Sequence, residues 1–236
     1  FSFPLHNSGM SRPRIRDPHA VPVAGYDHHL EPVDPERLSA ESIRRQFTQA
    51  SGFDAPIRGD GALGSDQPAQ HAAVLVPLVQ RDDGLHVLLT RRTEHLRDHA
   101  GQISFPGGRS EPEDGSAEAT ALREAEEEVG LPPSRVEVLG RLPTYTTVTH
   151  YVVTPVVGLV QPPFTLTLDA CEVAEAFEVP LAFLMTPAHH RRHVFTYDGN
   201  QRQFLSMPWQ GAAGQQYFIW GATAAMLRNL YAFLAA

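Results

Sequence analysis

The sequence REAEEEVGL at residues 123–131 predicts the last turns of an acidic helix and the turn that ends it. A helix over Ser116–Val129 would finish at Gly130, because glycine is the preferred residue just past a helix end. The two prolines that follow at 132 and 133 cannot continue it. Residues 111–128 contain eight acidic side chains and one arginine, so this short segment nearly equals the net charge of the whole chain, −8.

Three carboxylates of this helix fall on one face. Glu124, Glu127 and Glu128 are spaced i, i+3, i+4, which places them together at about 100° per residue. Like charges at this spacing destabilise a helix by a few tenths of a kcal/mol per pair, and a bound cation would offset that repulsion. Apolar residues on a different face can hold the helix against a core: Leu122, Ala125 and Val129. Carboxylate oxygens suit Mg²⁺ or Mn²⁺, so the pattern predicts a metal site, the alternative being a solvated helix face.

The segment before this helix contains FPGG at residues 105–108. Two glycines let the backbone approach a ligand closely, and a carbonyl in such a loop is a candidate metal ligand. Arg123 lies beside Glu124 and four residues before Glu127. Its guanidinium is expected to orient one of these carboxylates, the alternative being an ordinary surface pair.

Residues 123–131 resemble the second half of the Nudix box, REUxEExGU, at every fixed position. The first half matches less well, because the interval from the second glycine to the arginine is one residue longer than the general pattern. Its central acidic residue is Asp114, or Glu113 if the count starts one glycine earlier. The resemblance implies the Nudix fold, an α+β architecture in which a mixed central β-sheet lies between helices as an α/β/α sandwich. It also implies a metal-dependent pyrophosphatase.

A second motif, LLTRRTEHLRDHAGQISFPGG at residues 88–108, is similar to the LLTxR[SA]xxxRxxxGxxxFPGG signature of the coenzyme A pyrophosphatase branch. Thr93 is the one departure, and the branch shares the longer glycine-to-arginine interval. The resemblance implies that coenzyme A is hydrolysed at its diphosphate to 3′,5′-ADP and 4′-phosphopantetheine. The substrate-binding candidates in the motif are Arg92, Arg97, His99 and Gln102. Cations here would bind the substrate's phosphates, unless the arginines pair with the acidic helix for structural reasons.

The resemblance also suggests roles for the acidic residues. The expected ligands of Mg²⁺ or Mn²⁺ are Glu124, Glu127, Glu128 and Gly108. Glu124 would be a third ligand or would hydrogen-bond the attacking water, and Arg123 would orient it. Glu172 is the candidate for a general base or extra ligand from outside the box, with a plain strand-edge charge as an equal alternative.

Two other functions are open. One is Nudix hydrolysis of a different diphosphate, such as ADP-ribose, NADH or a dinucleoside polyphosphate. The other is an inactive Nudix domain that senses nucleotide metabolites. Loss of box glutamates is the usual mark of that class, and all of them are present in this sequence.

The chain has 236 residues, 42% of them hydrophobic, which suffices for one domain with a sizeable core. Its net negative charge argues against nucleic acid as a partner. The single cysteine, Cys171, excludes an intrachain disulfide and is expected to be a buried thiol. No apolar run is long enough for a membrane span, so a cytoplasmic protein without a membrane partner is expected, and a homodimer is among the expected assemblies.

Proline-rich composition predicts that residues 1–70 form a leader with a short helix near 40–50, followed by a Nudix domain over 71–236. The basic run at residues 189–193 is interpreted as a solvated loop. The main elements predicted within the domain are a hairpin of Ala72–Val79 with His86–Thr90 and a final helix over Ala222–Leu234.

Overall fold

The computed structural model describes residues 15, 17–60, 69–94, 101–197 and 200–236. Two predicted substrate-binding residues, Arg97 and His99, therefore lie outside the described residues. The strands are β1 (Val23–Tyr26), β2 (Gln70–Arg81), β3 (Gly84–Arg92), β4 (Ile103–Ser104), β5 (Gly107–Arg109), β6 (Val136–Arg141), β7 (Tyr145–Thr146), β8 (Tyr151–Val160), β9 (Val173–Pro180), β10 (Arg191–Tyr197), β11 (Asn200–Gln210) and β12 (Gln216–Trp220). The helices are α1 (Ala40–Gln49), α2 (Ala117–Val129), α3 (Leu181–Leu184) and α4 (Gly221–Ala235).

In the part of the chain that the structure describes, the strands form two sheets, and the larger one has eight strands centred on β2. β2 pairs in parallel with β8, from Gln70 opposite Tyr151 to Val79 opposite Val160. It pairs antiparallel with β3 and β5, and β3 in turn pairs antiparallel with β4 and β9. The predicted hairpin and the predicted mixed sheet are both confirmed.

The larger sheet lies between two helical layers because successive residues of β2 point to opposite faces. On one face, three residues share a hydrophobic cluster with α2: Ala73, Leu75 and Val79. On the other face, three residues share a cluster with α1 and α4: Ala72, Val76 and Leu78. This arrangement is the expected α/β/α sandwich.

Helix α2 has clear local signals at both ends. Ser116 accepts a hydrogen bond from the backbone N–H of Ala119 at 3.1 Å, which caps the first turn. Gly130 adopts a φ of 68° and ends the helix. A side chain at 130 would also come within 2.9 Å of the backbone nitrogen of Thr167, so the turn after α2 needs glycine for space as well as conformation.

The second sheet is predicted only in part, since the sequence indicates a hairpin of Val194–Tyr197 with Gln203–Leu205, which the pairing of β10 with β11 confirms. It is antiparallel, in the order β1-β10-β11-β12. The interpretation of residues 189–193 as a solvated loop is wrong, because β10 begins within that run and two of its histidines are buried. His193 donates from Nδ1 to the carbonyl of Val21 at 2.9 Å and hydrogen-bonds Ser206 through Nε2 at 2.8 Å. Burial lowers the pKa of His190 to about 4.

Residues 17–60, which the sequence assigns to a leader, pack against the rest of the domain. Its helix α1 stands where the sequence places one, and Ile43 of that helix is fully buried. Arg44 forms a two-pronged ion pair with Glu137 of β6, with both contacts at 2.7 Å. The side chain of Asn229 in α4 hydrogen-bonds both the N–H and the carbonyl of Ile57. Packing contacts therefore cross the expected boundary near residue 70.

The single cysteine also differs from expectation, since Cys171 is exposed rather than buried. It lies in the loop before β9, where its backbone N–H donates to Asp169. None of the helices in the described part of the chain has the length and apolar character needed to cross a membrane.

Candidate active site

Two adjacent glycines press directly against two carboxylates of α2. Pairing of β5 with residues 72–74 of β2 brings Gly107 and Gly108 beside that helix. The N–H of Gly107 donates to Glu128 Oε2 at 3.1 Å. A Cβ placed on Gly108 would lie 2.5 Å from the carboxyl carbon of Glu124, so that carboxylate occupies the space a side chain would need. The FPGG sequence thus forms a cradle for the acidic face of the helix.

The two cradled carboxylates are largely withdrawn from solvent. The side chain of Glu128 is 6% exposed and that of Glu124 is 17% exposed. Burial is the main cause that raises the pKa of Glu128 to about 7, and the charges of Glu172 and Glu124 raise it further. Burial likewise raises the pKa of Glu124, although the adjacent Arg123 opposes the shift. Both groups are therefore costly to ionise in the metal-free protein.

Arg123 joins the acidic groups at the outer edge of the site. Its guanidinium binds both oxygens of Asp114, at 2.8 and 3.0 Å, and also contacts Glu124 at 3.0 Å and Glu127 at 2.9 Å. The Arg123 guanidinium holds the pKa of the Asp114 carboxyl well below its usual range. Of the two acidic residues that the sequence offered for this position, Asp114 is the one against Arg123, and Glu113 is exposed. An arginine anchored on Asp114 is suited to orient Glu124.

The loop before β9 brings Glu172 to the same site. The N–H of Thr93 donates to the carbonyl of Glu172 at 3.0 Å, and the Thr93 hydroxyl donates to the carbonyl of Cys171 at 3.0 Å. The N–H of Asp169 donates to the carbonyl of Glu128 at 2.9 Å. The loop is thus fixed between the end of β3 and the last turn of α2, and the Glu172 side chain is about half exposed.

Arg92 completes this set from the end of β3. Its Nη1 lies 3.5 Å from Glu128 Oε1, and its Nη2 lies 3.7 Å from Glu172 Oε2. Its backbone N–H donates to the carbonyl of Gln102 at 2.9 Å, which places Gln102 beside the same strand end. The neighbouring Arg91 takes a separate partner, Glu175, at 2.9 Å.

The chemistry of this site fits a divalent cation, although the side chains are not arranged around one. Among the described residues, no three His, Cys, Asp or Glu side chains converge closely enough to hold a metal ion as they stand. Glu127 is 60% exposed and turned to Arg123. The charge of Glu172 nevertheless lies close enough to raise the pKa of both Glu124 and Glu128, and the donor atoms of all three side chains are oxygens. Buried carboxylates of like charge, set against a glycine cradle, match what Mg²⁺ or Mn²⁺ requires.

Most residues nominated from the sequence lie together in the structure. Those around the carboxylate cluster are Arg92, Gly108, Arg123, Glu124, Glu127, Glu128 and Glu172. Three further residues shape the site and were not nominated for it. Asp114 accepts a hydrogen bond from Arg123, Gly107 donates one to Glu128, and Thr93 donates one to the loop that contains Glu172. The acidic residue of the weaker half-motif was a signal for Asp114, whereas nothing in the local spacing points to Thr93.

Comparisons with known proteins identify several that are similar to this chain. The NUDIX domain family model matches residues 69–198. The "Uncharacterized Nudix hydrolase NudL" of Escherichia coli K12 is 48% identical over 163 residues, covering 68% of this chain and 81% of that protein. The protein of the same name from Shigella flexneri serotype 5b is 47% identical over 168 residues, covering 70% and 83%. Among solved structures, the Nudix hydrolase RenU of M. smegmatis is 21% identical with a TM-score of 0.42, covering 56% of this chain and 78% of that one.

Proposed function

Because this chain belongs to the Nudix family and is a Nudix hydrolase of a nucleoside diphosphate derivative, we propose that its substrate is coenzyme A. Water would supply the oxygen of one new P–O bond while the anhydride P–O bond breaks and a proton is released. The products would be 3′,5′-ADP and 4′-phosphopantetheine. Nudix hydrolases generally use divalent metals, and Mg²⁺ or Mn²⁺ is the proposed ion here.

The observation that supports this substrate most strongly is the position of Arg92. This arginine belongs to the coenzyme A-type motif at residues 88–108, and its guanidinium lies between Glu128 and Glu172. The other end of the motif supplies the glycines that cradle the carboxylates. The motif therefore borders the acidic cluster on both sides, which supports the proposal that the substrate's diphosphate binds there.

The proposed roles follow from these contacts. A bound ion would neutralise charge on the diphosphate and lower the pKa of a bound water. Its proposed ligands are Glu124, Glu127, Glu128 and the carbonyl of Gly108. Arg123 would orient Glu124. Glu172, half exposed at the edge of the cluster, would bind the ion as an extra ligand or accept the proton of the attacking water. The proposed substrate-binding residues are Arg92, Arg97, His99 and Gln102.

A substrate panel tests the proposal. Coenzyme A, ADP-ribose, NADH and a dinucleoside polyphosphate are incubated with the protein and Mg²⁺ or Mn²⁺, and products are identified by mass spectrometry. We expect coenzyme A to have the highest kcat/KM, with 3′,5′-ADP released, and EDTA to stop the reaction. Higher kcat/KM for any other member of the panel would reject coenzyme A and favour hydrolysis of that diphosphate instead.

Substitutions separate the metal site from substrate choice. Glu127→Gln and Glu128→Gln should each remove most turnover, because each deletes a charge proposed to bind the ion. Near-normal rates in both variants would reject the ligand assignment. Arg97→Ala should reduce kcat/KM for coenzyme A more than for ADP-ribose, and equal losses would remove Arg97 from the proposed specificity set.

The alternative of an inactive sensor has less support. Glu124, Glu127 and Glu128 are all present, and Arg123 and its partner Asp114 are in contact at 2.8 Å. Tight nucleotide binding without turnover of any member of the panel would favour the sensor.

A further inference from the structure

The guanidinium of Arg92 lies between carboxylates from two different elements without tight contact to either. Its distances are 3.5 Å to Glu128 of α2 and 3.7 Å to Glu172 of the loop before β9. Direct charge-assisted hydrogen bonds measure about 2.7–2.9 Å, as the contact from Arg123 to Asp114 does at 2.8 Å. Arg92 therefore neutralises charge in this cluster while remaining easy to displace.

The backbone fixes Arg92 on this side of the sheet. A register shift between β3 and β9 separates Arg91, opposite Glu175, from Arg92, opposite Val173. Arg91 consequently binds Glu175, which also accepts a hydrogen bond from Tyr217, whereas Arg92 points to Glu128. Two adjacent arginines of equal charge thus face different carboxylates.

Glu128 has one oxygen committed and one that faces Arg92. Its Oε2 accepts the N–H of Gly107, and its Oε1 faces the guanidinium. A divalent ion that binds Glu128 and Glu172 would need the charge that Arg92 now neutralises, and two cations repel each other across so short a distance. The guanidinium and the ion are therefore competitors for the same carboxylates.

We propose that Arg92 is the counter-ion of the metal-free site, and that a divalent ion displaces its guanidinium from Glu128 and Glu172 toward the diphosphate of the substrate. This inference rests on the proposed use of these two carboxylates at the metal site, but not on coenzyme A as the substrate. Arg92 is in this sense a positioning residue for the metal and a binding residue for the diphosphate.

A purely structural role for Arg92 makes the opposite prediction. If Arg92 served to hold Glu172 in place, its removal would weaken metal binding. The backbone of this loop has independent supports, since Thr93 donates to the carbonyls of Cys171 and Glu172 and Asp169 donates to Glu128. Glu172 therefore keeps its backbone position without Arg92. The two roles are distinguished by whether removal of Arg92 strengthens or weakens metal binding.

The measurement is Mn²⁺ affinity by electron paramagnetic resonance at low ionic strength, with Arg92→Gln and its matched control Arg91→Gln. We expect the Kd for Mn²⁺ to fall about tenfold in Arg92→Gln, the factor equivalent to about 1.4 kcal/mol, and to stay within about twofold in Arg91→Gln. An unchanged or higher Kd in Arg92→Gln would overturn the proposal, as would an equal effect in both variants.

A second titration uses methylenediphosphonate, a diphosphate that cannot be hydrolysed, with the Ca²⁺-loaded protein. Arg92→Gln should bind it about tenfold more weakly, because the displaced guanidinium is missing. Undiminished binding would overturn the second half of the proposal. Both titrations are independent of coenzyme A hydrolysis, so failure of the proposed substrate and failure of this inference are distinguishable.

Wild-type protein provides a test if Arg92→Gln does not fold. The ¹⁵Nε–H signal of Arg92, assigned by its loss in Arg92→Lys, should shift on addition of Mg²⁺ and shift again on addition of methylenediphosphonate. A signal that responds to neither ligand would overturn the proposal.

Discussion

Replacement of Gly108 by alanine moves one carboxylate of the site without deleting it. The new Cβ would lie 2.5 Å from the carboxyl carbon and from one oxygen of Glu124, and 2.6 Å from the other oxygen. Ordinary van der Waals contact begins near 3.4 Å, so the carboxylate must retreat by about 0.9 Å. Gly108 does not have a positive φ, which means that alanine is compatible with its backbone.

The size of the effect follows from that displacement. A catalytic group misplaced by about 1 Å can cost about 10²-fold in rate, equivalent to about 2.7 kcal/mol of transition-state stabilisation. The unfolding free energy should change by less than about 1 kcal/mol, because the clash is with the free end of a flexible side chain. In a chain of this length that change corresponds to a Tm shift of about 2–4 °C or less.

Two other glycines supply matched controls. A Cβ on Gly107 would lie 2.5 Å from the backbone of Ala73 and Val74, so Gly107→Ala should disrupt the pairing of β5 with β2 and lower Tm more strongly. A Cβ on Gly25 would have no neighbour closer than 3.6 Å, so Gly25→Ala should leave both Tm and kcat unchanged.

The assay is the rate of 3′,5′-ADP release from the proposed substrate, coenzyme A, with the proposed ion Mg²⁺, measured beside thermal unfolding of each variant. The reasoning would be refuted if Gly108→Ala kept more than about a third of wild-type kcat. It would equally fail if Gly108→Ala lowered Tm as far as Gly107→Ala, because the rate loss would then reflect misfolding.

Three further predictions concern stability. Asp114→Asn should lower Tm at pH 7, and the difference should begin to shrink below about pH 4. The depressed pKa beside Arg123 gives its full stabilisation above the ordinary Asp pKa, and this is lost progressively as pH falls toward the depressed value; melts at pH 7 and pH 3 that differ equally would contradict this. In EDTA, Glu128→Gln should have a higher Tm than wild type at pH 8 and the same Tm near pH 4. The reason is that a pKa raised to about 7 makes the wild type lose stability as pH rises from about 4.5 to 7. A lower Tm for Glu128→Gln at pH 8 would count against the burial argument. Asn229→Ala leaves the N–H and the carbonyl of Ile57 unpaired, so it should lower the free energy of unfolding in denaturant by about 2–4 kcal/mol while kcat is retained. A loss of unfolding free energy below about 0.5 kcal/mol would mean that residues 17–60 contribute little to the domain.

The acidic helix and its neighbouring hairpin were predictable from sequence because their signals are local. Gly130 ends α2 through its own backbone conformation, and i, i+4 spacing alone places Glu124 and Glu128 on one face. The continuous apolar run that predicts β2 likewise depends on near neighbours in the chain. Such patterns need no knowledge of what the element packs against.

The partners of the same residues were not predictable, because they depend on which distant segments meet. Arg92 and Glu172 are eighty positions apart and are brought together by the pairing of β3 with β9 and by the hydrogen bonds from Thr93 to the loop. Cys171 was expected to be buried because its type usually is, yet it lies in a loop that the fold leaves exposed. The histidines near 190 were interpreted as a solvated loop, but the fold buries His190 and His193 where β10 joins the second sheet.

By itself, the sequence determined that this chain carries the acidic Nudix helix, the hairpin of β2 with β3 and the family's hydrolytic chemistry, because each depends on short spacings within one segment. Only the tertiary structure decided that Arg123 is anchored on Asp114, that Arg92 stands between Glu128 and Glu172, and that Arg44 and Ile57 contact β6 and α4. These contacts join segments far apart in the chain, and their geometry is set by burial and strand pairing across the whole core rather than by any local pattern.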